Sequence, residues 1–354
     1  MKTLATTLAI LGCSIVAASA RNQTIANAVD GFVRPAYRNL ATETERLVPT
    51  LDKLCKSGDA SALEAARAAF TNAALAWSEV EIIRLGPVTE QNRLDRILHW
   101  PDRKGIGLKQ VQAALAQKDL TAIDAERLAQ KSVAMQGFGA LEFLLFGTGS
   151  DDVAAWRETF RCHYAQAVAD NISSMSSDIS KEWDAPEGFA KTWENPSPQN
   201  NLYRSDTEAL TDLIEIFVQG IELVRDVRTN GFLGEKPEGD KAKQAIYWRS
   251  NGTALSLGAN IEGLNKLFEA SRMADLATGD NAYLGNSIGF EFGNAQNALA
   301  AVKGKPIDAV LRDPDQRQKL DYFRTVTSSL SELFGTRLSG ALDLTAGFSS
   351  LDGD

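Results

Sequence analysis

Between Ser132 and Ser150 the sequence carries a single ionisable side chain, Glu142, inside the run Gly137-Phe138-Gly139-Ala140-Leu141-Glu142-Phe143-Leu144-Leu145-Phe146-Gly147. The rows Leu128-Ser132-Met135-Gly139-Glu142-Phe146 and Ala129-Val133-Gln136-Ala140-Phe143 both follow helical spacing. A helix that is apolar on all sides is expected to be central and buried. The carboxylate then has no solvent face and must go inward. Taken from water without a partner, an ionised acid costs more than a domain can carry, so it gathers cations and donors or stays protonated. Two readings follow: a buried acid that only fixes how helices dock, or a carboxylate lining an internal cleft.

A cation for that acid is available on the preceding helix. Leu63, Ala66, Phe70, Ala73, Trp77, Glu81 and Arg84 fall at intervals of three and four on one stripe, whose far end turns charged just before Gly86-Pro87. Arg84 is expected to reach Glu142 with a bidentate guanidinium fork, supported by Glu81 one turn away; solvated charges at a helix end are the alternative. Glycine in a helix interior costs about 1 kcal/mol relative to alanine, so Gly137 and Gly139 imply either close helix approach or room for a ligand. The two histidines, His99 and His163, belong to no spaced ligand pair. There is no H-E-x-x-H zinc signature, G-x-S-x-G elbow or P-loop, and no residue is nominated as catalytic.

The elements that must position these groups are helical nearly throughout, because few windows alternate apolar and polar residues. The pattern predicts helices over 23–55, 59–85, 106–117, 122–147, 151–183, 205–230, 238–273, 280–302 and 315–342. Pro35 should kink the first, and Asp59 and Ser61 offer a start signal for the second. The stretch from Pro186 to Ser205, with Trp193-Glu194-Asn195-Pro196-Ser197-Pro198, interrupts the pattern and divides the chain into an N-terminal bundle over 21–195 and a C-terminal bundle over 205–354. Gly139-Ala140-Leu141-Glu142 has a faint echo in Ala259-Asn260-Ile261-Glu262. The expected class is all-α, two helical bundles packed together.

The first twenty residues read as a secretory signal: Lys2, an apolar run from Leu4 to Val16, and Ala18-Ser19-Ala20 as a cleavage site. The run is shorter than the roughly twenty residues a spanning helix needs. Ile10-Leu11-Gly12-Cys13 is also similar to a bacterial lipobox, which makes Cys13 an alternative lipidation site, and both readings export the chain to the periplasm or cell envelope. Either way Cys13 leaves the thiol count, so Cys55 and Cys162 remain in a compartment that permits disulfides. They are expected to bond, with two separately buried thiols as the alternative; a loop on the order of a hundred residues gives about 4 to 5 kcal/mol in the chain-entropy model. With 46 acidic and 37 basic residues the chain is acidic, which argues against nucleic acid and mildly favours cationic partners. No other segment is apolar enough to span a membrane, leaving a lipid anchor as the one expected membrane contact.

The run from Gly137 to Gly147 resembles the imelysin family, whose members carry Gly-x-His-x-x-Glu in an apolar helix followed by Phe-Leu-Leu and an aromatic-glycine ending. The motif histidine is Gly139 here. Trp77 through Arg84-Leu85-Gly86-Pro87, Trp100-Pro101-Asp102-Arg103, and the tail from Leu344 to Asp354 also look like this family, in its branch of periplasmic lipoproteins. The resemblance implies two bundle-like halves with a cleft between them, and an association with iron uptake and with a peptidase. A His and a Glu three residues apart share a helix face and can hold a metal, whereas glycine supplies no ligand. The expected function is therefore non-enzymatic binding of a small ligand or cation in the cleft, alongside envelope iron-uptake components and with iron open as a bound metal. The candidate residues are Glu142, Arg84, Glu81, Asp102, Gln136, Gly137, Gly139, Trp77 and Trp100. A metallopeptidase and an envelope scaffold are the alternatives.

Overall fold

The computed structural model describes residues 21–344. The expectations placed on residues 1–20, Cys13 among them, and on the tail from Thr345 lie outside the described residues. Among the described residues there is no β-strand, and no helix is long and apolar enough to cross a membrane.

The Ala60–Val80 helix is the hinge of the architecture. Asp59, in extended conformation, accepts the Ala62 amide at 2.7 Å and so starts the helix as an N-cap. Its stripe of Ala66, Phe70, Ala73 and Trp77 is buried. One side packs on the Arg34–Ser57 helix, which also packs on Phe160–Asp184, and another side packs on Thr253–Ser271 of the second half. In that half Leu284–Ala300 lies between Thr253–Ser271 and Pro314–Glu332. The buried apolar side chains form one cluster running from Ile25 to Leu344, so the two helical halves share a core. Cys55 and Cys162, both buried, form a disulfide with Cα atoms 5.5 Å apart that pins the end of Arg34–Ser57 to the start of Phe160–Asp184.

Several helices differ from the periodicity. The first runs through Pro35 without breaking; the disturbance is a π-helical turn at Val29–Val33, where the Arg34 amide reaches back to the Val29 carbonyl. The second stops at Val80 rather than 85, so Arg84 sits in irregular chain. The Phe160–Asp184 helix starts at a Thr159 cap, later than 151. The span 122–147 is not one helix: a short turn, Ala125–Leu128, and a 3-10 turn, Val133–Met135, precede a separate helix, Phe138–Phe146. Gln136 makes the break, its amide donating to the Lys131 carbonyl at 2.9 Å while its oxygen accepts Arg96 at 2.9 Å and Asn171 at 3.2 Å. Such a satisfied polar hub outweighs helix propensity. The span 238–273 is likewise α-helical only over Thr253–Ser271, and the chain before it passes through short 3-10 turns at Pro237–Gly239 and Ala242–Gln244 and then left-handed Tyr247 and Asn251.

Candidate functional site

The Phe138–Phe146 helix is buried because nearly every side chain on it is apolar, and it packs on Phe160–Asp184 and Ala60–Val80. Gly137 caps it in extended conformation. A Cβ there would come within 2.4 Å of the Ile97 carbonyl oxygen, so the glycine permits the 93–98 segment to pass close by. Gly139 is different: a Cβ at this position would meet nothing nearer than the His99 carbonyl oxygen at 4.0 Å, and the residue opens onto a cavity.

That cavity has a volume of about 420 Å³. It lies where the Phe138–Phe146 helix, the 98–108 segment and the 243–249 loop meet, with Val227 and Gly231 closing one side. Glu142 lines it and is 4% exposed. Its Oε1 accepts the amides of Arg249 and Ser250, each at 3.1 Å, and the Ser250 hydroxyl at 3.0 Å. Its Oε2 lies 3.7 Å from Arg249 Nη1. Burial pushes the Glu142 carboxyl above the usual carboxylate range, and Arg249 with the Ser250 and Arg249 donors pulls it partly back. Asp102, also in the lining, accepts the amides of Ile106 at 2.8 Å and Leu108 at 3.1 Å and so caps the Ile106–Gln117 helix.

Four of the nine residues singled out in the sequence meet at this cavity: Glu142, Gly139, Asp102 and Trp100. The other five do not line it. Gln136 is the buried hub described above, Gly137 is the helix cap, and Trp77 belongs to the core with its indole nitrogen unpartnered. Arg84 does not reach Glu142, because the helix that should carry it ends four residues earlier; the guanidinium facing Glu142 is that of Arg249. Glu81 supports no Arg84 either. It is held by Arg228 Nη2 at 2.6 Å and Asn260 Nδ2 at 2.8 Å, in a buried network that also joins Ser78 and Ser256. Arg228 comes from the π-helical turn Leu223–Thr229, and its guanidinium carbon lies 5.7 Å from the Trp100 ring centre.

The residues missed in sequence are those of the loop before Thr253: Lys243, Tyr247, Trp248, Arg249 and Ser250. Asn251-Gly252, a common turn dipeptide, is the signal that marks the end of any helix there. The donor set at Glu142 does not fit a metal ion: position 139 supplies no ligand, one carboxylate oxygen already accepts three donors, and the other faces a guanidinium. Among the described residues no three His, Cys, Asp or Glu side chains come together to hold a metal.

Two helical bundles sharing a core, with an acid-bearing apolar helix beside an internal cleft, define the class of protein. The chain belongs to the imelysin family, peptidase M75, whose model matches residues 33–333. It is 23% identical over 342 residues to iron-regulated protein A of Synechococcus elongatus, an alignment covering 90% of this chain and 86% of the relative. An imelysin-like protein from Psychrobacter arcticum superposes with a TM-score of 0.74 at 19% identity, covering 94% of this chain and 98% of its own. A protein described as an iron-regulated protein A precursor, from Parabacteroides distasonis, superposes with a TM-score of 0.75 at 16% identity, covering 92% and 95%. At those identities the structures speak for the shared fold.

Proposed function

We propose that this protein is an exported, non-enzymatic member of the family that holds a small ligand in the cleft beside Glu142, in the cell envelope and in the service of iron acquisition. The observation that carries this reading is the cavity onto which Gly139 opens. At the position where the family motif places a histidine, this chain leaves space of ligand size, within the range usual for small-molecule sites. Glu142 is engaged as an acceptor of three donors, an arrangement suited to fixing the cavity wall rather than to activating water. The iron link rests on the relative named for iron regulation.

Native mass spectrometry of protein purified from the cell envelope tests the reading. Wild type is expected to retain a small-molecule adduct, and Gly139→Phe, which fills the cavity from an unobstructed position, is expected to lose it. A variant that retains the same adduct would place the ligand elsewhere. Stoichiometric metal together with chelator-sensitive proteolysis would favour the metallopeptidase alternative.

A further inference from the structure

The charge around the cavity is opposite to that of the chain. The whole sequence carries a formal net charge of −9, yet Arg103, Lys104, Lys243 and Arg249 line the cleft against only two acids, Asp102 and Glu142. Both acids have their oxygens engaged, Asp102 by helix amides and Glu142 by the loop, and the lining keeps an excess of cationic side chains. Arg103, Lys104 and Lys243 form no ion pair among the described residues. Arg249 has only the 3.7 Å contact with Glu142 and makes no hydrogen bond through its guanidinium. In a concave site with apolar walls, uncompensated positive charge draws anions in.

The aromatic groups add shape. The Arg249 guanidinium carbon lies 4.4 Å from the Trp248 ring centre and 5.5 Å from that of Phe143, while Lys243 Nζ lies 5.8 Å from the Trp248 ring centre. Stacking of this kind holds the guanidinium in place while leaving its edge donors free. Tyr247, another lining residue, is 4% exposed, and its hydroxyl oxygen is sealed from solvent without a hydrogen-bond partner. Burial above all, then the Glu81 carboxylate, holds this phenol well above its ordinary pKa, with Arg228 opposing and Glu142 adding. It stays protonated. That hydroxyl is closed off from the cavity, so the ring of Tyr247 serves as wall rather than as a donor to what the cleft holds.

We infer that the cleft takes an organic anion: a small carboxylate with a planar apolar body, its charge met by Arg249 and Lys243, and its body by Trp248 and Trp100. This rests on the reading of the cleft as a ligand site and narrows it from ligand or cation to anion.

Titration calorimetry with three isosteric probes, naphthoate, naphthamide and naphthylmethylammonium, tests it on the full-length protein. Naphthoate is expected to bind about tenfold or more tightly than either isostere, and its affinity to fall as salt rises. Lys243→Gln, on an exposed side chain, is expected to weaken naphthoate by severalfold with unchanged thermal unfolding. Equal or tighter binding of the amide or the ammonium probe, blocked by Gly139→Phe, overturns the anion while leaving the cleft as a ligand site. Naphthoate affinity unmoved by Lys243→Gln, or no naphthoate binding at all, overturns the inference.

Discussion

Glu142 Oε1 accepts both the Arg249 and the Ser250 backbone amides at 3.1 Å, a junction that closes across 107 and 108 residues of sequence and fixes the loop to the apolar helix. The acid is thus an anchor for the wall of the cavity as well as part of its lining. Glutamine can keep the acceptor and alanine cannot. Glu142→Gln is expected to cost about 1 kcal/mol, and Glu142→Ala about 3 kcal/mol because it also orphans two amides, the Ser250 hydroxyl keeping the Tyr247 carbonyl as acceptor. Urea unfolding of the two variants measures the difference, and equal costs would remove the anchoring role.

The same pair gives a pH dependence of known sign. Burial raises the folded-state pKa of Glu142 above its unfolded value. The stability it contributes is therefore complete below the ordinary carboxylate pKa and is lost as pH rises through the raised folded value. Glutamine does not titrate. The stability difference between Glu142→Gln and wild type is expected to move in favour of the variant as pH rises from about 4 to about 8, other groups cancelling in the comparison. A difference that stays flat, or moves the other way, would contradict a desolvated acid.

Glu81 and Arg228 form the second buried pair, 6% and 1% exposed at their side chains. Removing one partner strands the other: Arg228→Met is expected to cost about 3 to 5 kcal/mol, as is Glu81→Met. The double substitution is expected to cost far less than the sum, because an apolar pair can replace a buried ion pair of similar volume. A double-mutant cycle in urea returns the coupling energy; additivity would show that Asn260, not Arg228, holds the carboxylate.

How much of this was legible in the sequence depends on the range of the interaction. The N-cap at Asp59, the helix over 106–117 and the inward fate of Glu142 rest on neighbours within a few residues, and periodicity reads those well. The identity of the partner of Glu142 was not legible. Arg249 looks in sequence like any surface arginine, and it meets the acid only because the chain turns at Tyr247 and Asn251. Arg84 does not meet Glu142 for the same reason: its stripe holds only while the helix lasts, and the helix ends at Val80. The break at Gln136 is tertiary too, made by Arg96 and Asn171 from other segments.

The Cys55–Cys162 disulfide closes a sequence separation of 107 residues between two helices that already pack together. In the chain-entropy account the cross-link acts mainly on the unfolded ensemble and is worth about 4 to 5 kcal/mol. Replacing both cysteines by alanine is expected to lower the unfolding free energy by about that amount with little change in the circular dichroism of the folded protein. Loss of folded helical signal in the variant would show that the bond is needed to assemble the N-terminal bundle rather than to stabilise it.

Two glycines two residues apart are expected to respond to alanine with opposite sign. At Gly137 the added carbon would sit 2.4 Å from the Ile97 carbonyl oxygen, a backbone atom that cannot move aside cheaply, so Gly137→Ala is expected to destabilise by about 2 kcal/mol or more. At Gly139 the nearest atom lies 4.0 Å away, and helix propensity favours alanine, so Gly139→Ala is expected to stabilise by about 0.5 to 1 kcal/mol. Thermal unfolding of both variants checks the pair. A stabilising effect at 139 means that glycine is not kept there for packing or for backbone conformation, and what remains for it to provide is the space it opens beside Glu142. A destabilising effect would return Gly139 to the packing of the helix and remove that support from the cleft.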